Sequence, residues 1–261
     1  SLPVAVTEEP GFATEYATSL GLKGLVSKCT TYHPCCQPRV KNIHRMADLL
    51  DGRLVRPGET FSVNQAVGKR TVANGFLPAP SIEDGEMVDT VGGGVSQLAT
   101  TFFNAIFHGG YDIVERQAHS YYFSRYPMGH EATLSWPKPD LVFRNDTSAV
   151  VLIRATYTEK SVTVKLFGDN GGRKVEAKVS AVQDVVKPPV ELIADSELLP
   201  DDEKVKDKGT IGWSVTVARL LSYPDGTTKE EKRKVTYKPK ARRVAVHPCH
   251  IPAGEEGYTG E

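Results

Sequence analysis

Apolar residues at Val40, Ile43, Met46, Ala47, Leu49 and Leu50 recur every three or four positions, which draws a single stripe along a helix, and Gly52 supplies its stop. A second helix is predicted after Gly92-Gly93-Gly94. There Val95, Leu98, Ala99, Phe102, Phe103, Ala105 and Ile106 are apolar around most of the circumference, so the segment should be buried on several sides until Gly109-Gly110 ends it. A short lead-in helix capped by Thr14 and closed at Gly21 precedes both. Residues 25–32 read as a strand, followed by a loop over residues 33–38. Residues 53–62, around Pro57-Gly58, read as strand, turn and strand, whereas Gly68, Gly75, Pro78 and Pro80 predict irregular chain. From Ile113 onward, short β-rich runs follow at residues 121–126, 132–136, 141–144, 150–156 and 161–167.

Helices early and strands late predict an α+β class: a helix-bearing domain with a mostly antiparallel sheet, followed by a small all-β module. The hinge signal is Asp169-Asn170-Gly171-Gly172. Beyond it, residues 174–186 alternate, and residues 213–221 and 232–237 flank the turn Tyr223-Pro224-Asp225-Gly226. The expected layout is a lead-in over residues 1–28, a main domain over 29–170, a β module over 171–251 and a frayed tail over 252–261. Ser1 carries no methionine or apolar leader, which implies a processed or cut form.

Composition narrows the functional classes. The 261 residues hold 32 Lys plus Arg against 32 Asp plus Glu, so no net field exists to attract nucleic acid or an anionic membrane. With 39% hydrophobic and 25% charged residues the chain has the make-up of a folded globular protein. Its longest aliphatic run, residues 149–153, falls far short of the ~20 residues that a membrane-spanning helix needs. Cys29, Cys35, Cys36 and Cys249 lack the paired spacing of a structural zinc site, and no metal or cofactor is expected.

The candidate chemistry centres on Val91-Gly92-Gly93-Gly94-Val95-Ser96-Gln97. Three glycines permit a sharp turn and close approach of another molecule, and the helix that follows presents unpaired N–H groups and partial positive charge to position 96. A serine hydroxyl in that place needs a positioned base before it becomes a nucleophile. His119, expected on a following strand, is the candidate base, with Glu131 or Asp140 as the group that orients it. The plainer reading makes the glycines a turn and Ser96 a helix cap.

The same residues resemble the VanW family. The ordered string Asn42-Ile43, Arg56-Pro57-Gly58-Glu59-Thr60-Phe61-Ser62, Val67-Gly68-Lys69-Arg70-Thr71, Gly92-Gly93-Gly94-Val95, Gln97, Thr100-Thr101, Asn104-Ala105, Glu115-Arg116, His119-Ser120, Ala132-Thr133 and Asp140-Leu141 carries the resemblance, over roughly residues 33–168. It implies a bacterial surface protein acting on peptidoglycan, of the L,D-transpeptidase type, working outside the cell. In the family pattern a cysteine follows Gly-Gly-Gly-Val, and this chain has Ser96 there. Three accounts of Ser96 stand: an engineered replacement, a natural branch without catalysis, or a serine that itself acts with His119. Cys35 and Cys36 are alternative thiols, with a structural disulfide as their plainer reading.

On this resemblance Arg70 and Arg125 are candidates for binding a peptide carboxylate. Gly93, Gly94 and Gln97 form the turn around the reacting group, where Gln97 either stabilises an oxyanion or fixes the helix start. Ser120 and Tyr122 line the groove, and Tyr121 and Tyr126 join them or serve as core. The implied partners are peptidoglycan stem peptides or glycan, and catalysis competes with a purely binding or structural role. The β module resembles five-glycine modules through Lys208-Gly209-Thr210-Ile211-Gly212, implying glycan binding or spacing.

Overall fold

The computed structural model describes residues 18–83, 86–254, 256 and 258. In chain order the elements are β1 (Gly24–Tyr32), α1 (Pro38–Leu50), β2 (Leu54–Val55), β3 (Thr60–Ser62), α2 (Val63–Val67), β4 (Pro78–Glu83), β5 (Glu86–Val91), α3 (Ser96–Gly109), β6 (Asp112–Glu115), β7 (Val142–Arg144), β8 (Val151–Thr158) and β9 (Ser161–Gly168). Then come β10 (Lys174–Val179), β11 (Gln183–Val186), β12 (Val190–Ala194), β13 (Glu203–Asp207), β14 (Gly212–Ser222), β15 (Thr228–Tyr237) and β16 (Arg242–Val246).

Strand outweighs helix, 40% against 17%, and this corrects the expected α+β class: the protein is built mainly of antiparallel sheet with few helices. The all-β character expected of the C-terminal region agrees with the structure. The overestimate of helix has a physical source. Two strongly patterned helices dominate the early periodicity, while β13 is short, solvent-facing and rich in charge, so it carries little apolar signal.

The chain divides into two compact units. The first takes the chain up to Ala118 together with His130–Ala177 and Arg219–Glu231, and the second takes His119–Gly129, Lys178–Ala218 and the chain from Lys232 onward. In the first unit one antiparallel sheet runs in the order β1-β9-β8-β2, and a smaller one runs β3-β7-β6. Helix α3 packs on β1 and β9, and α1 packs on β8. This burial explains the sequence of α3, whose residues from Gln97 through Phe107 are all buried. Phe102, fully buried, meets Phe61 of β3 at 6.0 Å and Phe143 of β7 at 5.8 Å in edge-type contacts. Helix α1 begins with Pro38, whose missing N–H costs nothing in the first turn, and ends before Gly52 at φ +76°. The lead-in helix predicted from Thr14 lies largely outside the described residues.

Several local expectations are overturned. The chain at Pro78 and Pro80, expected to be irregular, forms β4 and pairs antiparallel with β5, because both prolines sit in a two-stranded ribbon where only alternate N–H groups need partners. The strands expected at 121–126 and 132–136 are irregular chain. Their aromatic and β-branched content suggested strands, but Pro127 and Pro137 interrupt the run and the backbone bonds locally, Tyr126 N to Phe123 O at 3.0 Å and Ser135 N to Pro139 O at 3.0 Å. The strands at 53–62 form as read but do not pair with each other: β2 joins β8 and β3 joins β7.

In the second unit β14 pairs with β11 and β15, and β16 lies between β12, parallel to it, and antiparallel β13. Val244, Val246 and Ile251 form a small core onto which Leu192 and Ala194 pack. The turn at Tyr223-Pro224-Asp225-Gly226, in the Arg219–Glu231 stretch of the first unit, closes as its residues dictate, Gly226 N donating to Tyr223 O at 3.0 Å with Gly226 at φ +86°.

Truncating the central aromatic tests this account of the first unit's core. Phe102→Ala should destabilise the protein by about 3–5 kcal/mol, measured by urea denaturation.

Candidate functional site

The glycine turn is assembled from three independent steric demands. Gly92 and Gly94 have φ of +91° and +92°, where L side chains are strained. A Cβ on Gly92 would stand 2.6 Å from Arg70 Cβ, and one on Gly94 would stand 2.7 Å from Arg39 Cβ. Gly93 is required for another reason: an added Cβ would lie 2.0 Å from the Ala79 carbonyl oxygen, so the turn lies directly on β4 backbone. Asn42, fully buried on α1, holds it there. Its Nδ2 donates to Leu77 O at 2.8 Å and to Gly93 O at 3.0 Å, while its Oδ1 accepts from Leu77 N at 2.7 Å.

Helix α3 leaves this turn carrying Ser96, Thr100 and Asn104 four residues apart. Ser96 Oγ accepts from Leu134 N at 3.2 Å. Thr100 Oγ1 accepts from Ala132 N at 3.0 Å and donates to Ala132 O at 3.2 Å, and Asn104 Nδ2 donates to His130 O at 2.7 Å. Four helical residues rise ~6 Å and two extended residues rise ~6.6 Å, so the spacings match and a three-rung ladder forms. Ser96 is therefore the first rung and not a helix cap; Val95 occupies the cap position without a side-chain bond. Among the described residues Leu134 N is the hydrogen-bond partner of Ser96 Oγ, and no imidazole or carboxylate of its own unit bonds to it.

Two arginines flank the turn. Arg70 beside Gly92 is anchored through Nη1, which donates to Asn64 Oδ1 at 2.5 Å and to Gly68 O at 3.3 Å. Burial lowers its pKa, opposed by the charge of Asp140, and the group stays a cation. Among the described residues its Nε and Nη2 have no hydrogen-bond partner, and neither is buried. Arg39 beside Gly94 donates from Nη2 to Gln97 Oε1 at 2.9 Å. Gln97 is 1% exposed and fully committed: its Nε2 donates to Thr31 Oγ1 at 3.1 Å and Tyr32 O at 3.0 Å, and its main-chain N donates to Gly94 O at 3.1 Å. Gln97 thus fixes the helix start, the second of its two expected roles.

Asp140 and Glu131 are both buried in the first unit. Asp140 accepts from Ser62 Oγ at 2.5 Å, Asn64 N at 2.9 Å and Leu141 N at 2.7 Å, which fastens the start of α2. Asn64 then extends the fastening, donating to Ser135 O at 2.8 Å and Pro137 O at 2.9 Å.

His119, Ser120, Tyr122 and Arg125 belong to the second unit, on irregular chain and not on a strand. The His119 ring stacks on Tyr126 at 5.7 Å and meets Phe123 edge-on at 5.1 Å. Tyr122 packs with Trp213 and Tyr237 at 5.4 and 5.3 Å, and Arg125 lies over Phe123 at 5.6 Å. Ser120 O accepts from Lys238 N at 2.7 Å. Ser96, Gln97, Gly93, Gly94 and Arg70 are gathered at one turn, and Asp140 joins them through Asn64, which bonds both Asp140 and Arg70; His119, Ser120, Tyr122 and Arg125 belong to the second unit.

All four cysteines are thiols without disulfide partners. The Cys36 thiol is pushed up by its hydrogen bond with Cys35 and by burial, and burial raises Cys29 to about 11, so neither favours the thiolate that a nucleophile requires. Among the described residues no group of three or more His, Cys, Asp or Glu is arranged to hold a metal ion, and no helix is long and apolar enough to cross a membrane.

Residue-level reading of the sequence missed the groups that build the turn: Asn42, Asn64, Thr100, Asn104 and Arg39. A signal existed for two of them, since Thr100 and Asn104 are polar at four-residue spacing after Ser96 on an otherwise apolar helix.

The ladder predicts that Thr100→Val, nearly isosteric, strips Ala132 of both partners and destabilises the protein by about 1–3 kcal/mol in urea denaturation. His130, on the laddered segment, is held to about 4 by burial and then by His108 and Arg116, below its ordinary 6.5. A depressed histidine stabilises the fold above pH 6.5 and loses that contribution as pH falls toward 4. Urea midpoints measured between pH 7.5 and 4 should therefore drop, and His130→Phe should flatten the drop.

Residues 38–167 match the family described as VanW like protein. The uncharacterized protein YoaR of Bacillus subtilis (strain 168) is 35% identical over 161 residues, covering 62% of this chain and 53% of YoaR. The vancomycin B-type resistance protein VanW of Enterococcus faecalis (strain ATCC 700802 / V583) is 28% identical over 138 residues, covering 50% of each. The chain thus spans about half the length of the curated relatives it matches. Among solved structures, the IgA1 protease G5 domain aligns with 31% of this chain and 96% of its own, at 18% identity and a TM-score of 0.21. HP0197-G5 aligns with 28% of this chain and 96% of its own, at 13% identity and a TM-score of 0.17. Neither overlap is close enough to bear on the fold. The family match and the two relatives establish that this chain contains a VanW-family domain over residues 38–167.

Proposed function

We propose that the VanW-family domain is a cell-wall module, working outside the bacterial cell, that binds the carboxylate-bearing stem peptide of peptidoglycan beside the Gly92–Ser96 turn without turning it over. The observation that carries this reading is Arg70. One nitrogen of its guanidinium is pinned by Asn64 and Gly68, while Nε and Nη2 have no partner among the described residues. A cation held in place next to a turn with no side chains is suited to a bidentate carboxylate contact, because little rotamer freedom remains to be lost on binding.

A serine needs a base to become a nucleophile, and Ser96 Oγ is instead a rung bonded to Leu134 N. One observation favours the second reading, acyl transfer of the L,D-transpeptidase type: Ser96 is the first residue of α3, where the helix field would stabilise developing negative charge. The β module over residues 171–251 is proposed to bind glycan or to space the main domain from its anchor.

Calorimetry with a synthetic stem peptide ending in a free carboxylate tests the reading. Saturable binding is expected, weakened roughly tenfold or more by amidating the peptide terminus and by Arg70→Gln, the scale of one charge-assisted hydrogen bond. Mass spectrometry should show neither a Ser96 adduct nor a cross-linked product. Cross-linking by the unmodified chain would replace binding with acyl transfer, and absence of saturable binding would remove both stem-peptide readings.

A further inference from the structure

Helices α1 and α3 pack against one face of the sheet β1-β9-β8-β2. Ser27 and Thr31 of β1 mark that face, bonding Ala105 O and Thr101 Oγ1 of α3, as does Tyr157 of β8, which stacks on His44 of α1. Strand alternation therefore turns Lys28 of β1, Lys165 and Phe167 of β9, and Leu152 and Arg154 of β8 to the opposite face.

The register sets these outward residues side by side. Leu25, Phe167, Leu152 and Leu54 face one another in turn across the four strands, and Lys28, Lys165 and Arg154 do the same across β1, β9 and β8. Like charges directly opposite on a sheet are destabilising, so a row of three cations gives the fold nothing. Asp51 Oδ1 answers Arg154, accepting from its Nε at 2.7 Å. Among the described residues neither Lys28 nor Lys165 has an ion-pair partner.

Next to the cation row the face is hollow. A cavity of about 360 Å³ has Leu22, Leu152 and Phe167 in its wall together with Lys23, Asp51 and Arg154. Arg154 belongs to both the cavity and the row, and Lys165 is its direct cross-strand neighbour, two residues before Phe167 on the same face. The carboxylates at this site are accounted for: Asp51 pairs with Arg154, and Asp169 with Lys23 at 2.7 Å. The uncompensated charge is therefore positive and comes from Lys28 and Lys165. Leu152 and Phe167 are half-buried in the wall of a recess, which suits one apolar chain entering it; a membrane surface takes apolar side chains that protrude.

We propose that this hollow binds a single-chain anionic amphiphile, its apolar chain lying on Phe167 and Leu152 and its phosphate or carboxylate head meeting Lys165 and Lys28. The site is on the face of the sheet away from α3, and it is independent of the stem-peptide reading.

Calorimetry on the full chain, with ligands below their micelle concentrations, compares octyl phosphate, octanoate, hexyl phosphate, inorganic phosphate and the neutral octyl glucoside. At least one octyl anion should bind saturably, and hexyl phosphate should bind about tenfold more weakly than octyl phosphate, since each buried methylene contributes roughly fourfold. Inorganic phosphate and octyl glucoside, each offering half of the ligand, should bind more weakly still. Replacing both lysines, Lys28→Gln with Lys165→Gln, should weaken the octyl anion about fivefold or more and leave the chain-length dependence intact. Phe167→Thr, which keeps a strand-compatible residue, should remove much of that dependence, and circular dichroism checks that both variants are folded. Octyl glucoside binding as tightly as the anions, an affinity indifferent to chain length, a double-lysine variant that binds as the unmodified chain does, or no saturable binding of either octyl anion would each overturn the site. Binding to anionic phospholipid vesicles without binding of either octyl anion would also overturn it and assign the face to a membrane surface.

Discussion

Buried side-chain polar groups hydrogen-bonded to the main chain of irregular segments are what the first unit depends on. Asn42 binds Leu77 and Gly93, Asn64 binds Ser135 and Pro137, Thr100 binds Ala132, Asn104 binds His130, and Asn145 binds Val55 and Ala149. A backbone group buried without a partner is destabilising by about 1–3 kcal/mol, so irregular chain can be buried only where such partners are supplied. Sheet and helix satisfy their own backbone. The loops around the glycine turn do not, and these amides and hydroxyls take the place of the missing ladder.

This gives a physical meaning to much of the family string. Residues that carry the resemblance, such as Asn42, Thr100, Asn104 and Asp140, spend their hydrogen-bonding capacity on fastening chain, and the glycines are set by left-handed φ and by backbone contact. Ser96 belongs to the same group, since it is the first rung on the 130–134 segment. A cysteine in its place would be a weaker acceptor for Leu134 N, but it would bring a thiol whose ionisation the start of α3 favours. Position 96 therefore trades a structural bond against nucleophilicity, and this chain carries the residue that makes the stronger bond.

On the binding reading proposed above, function falls to groups that the fastening leaves available. Arg70 is held by one nitrogen, and among the described residues its Nε and Nη2 have no hydrogen-bond partner. Rigid backbone carrying uncommitted side chains is the usual economy of a binding site, because ligand binding then orders little that was mobile.

The sequence by itself determined the elements whose signal is local. Helix α1 with its three- and four-residue stripe, the all-round apolar α3, strands β1, β8 and β9, and the turn at Gly226 are each written in periodicity or turn chemistry spanning a few residues. So is the identity of the turn at Gly92–Gly94. Tertiary structure alone decided which side chain meets which loop. Asn42 and Gly93 are 51 residues apart and Asn64 and Pro137 are 73 apart, distances at which no local pattern constrains pairing. It also decided that Gln97, Asp140 and Ser96 are committed to the fold, while Arg70 Nε and Nη2 have no partner among the described residues. A side chain's chemistry depends on the hydrogen bonds already made by its atoms, and those are settled only when distant segments pack.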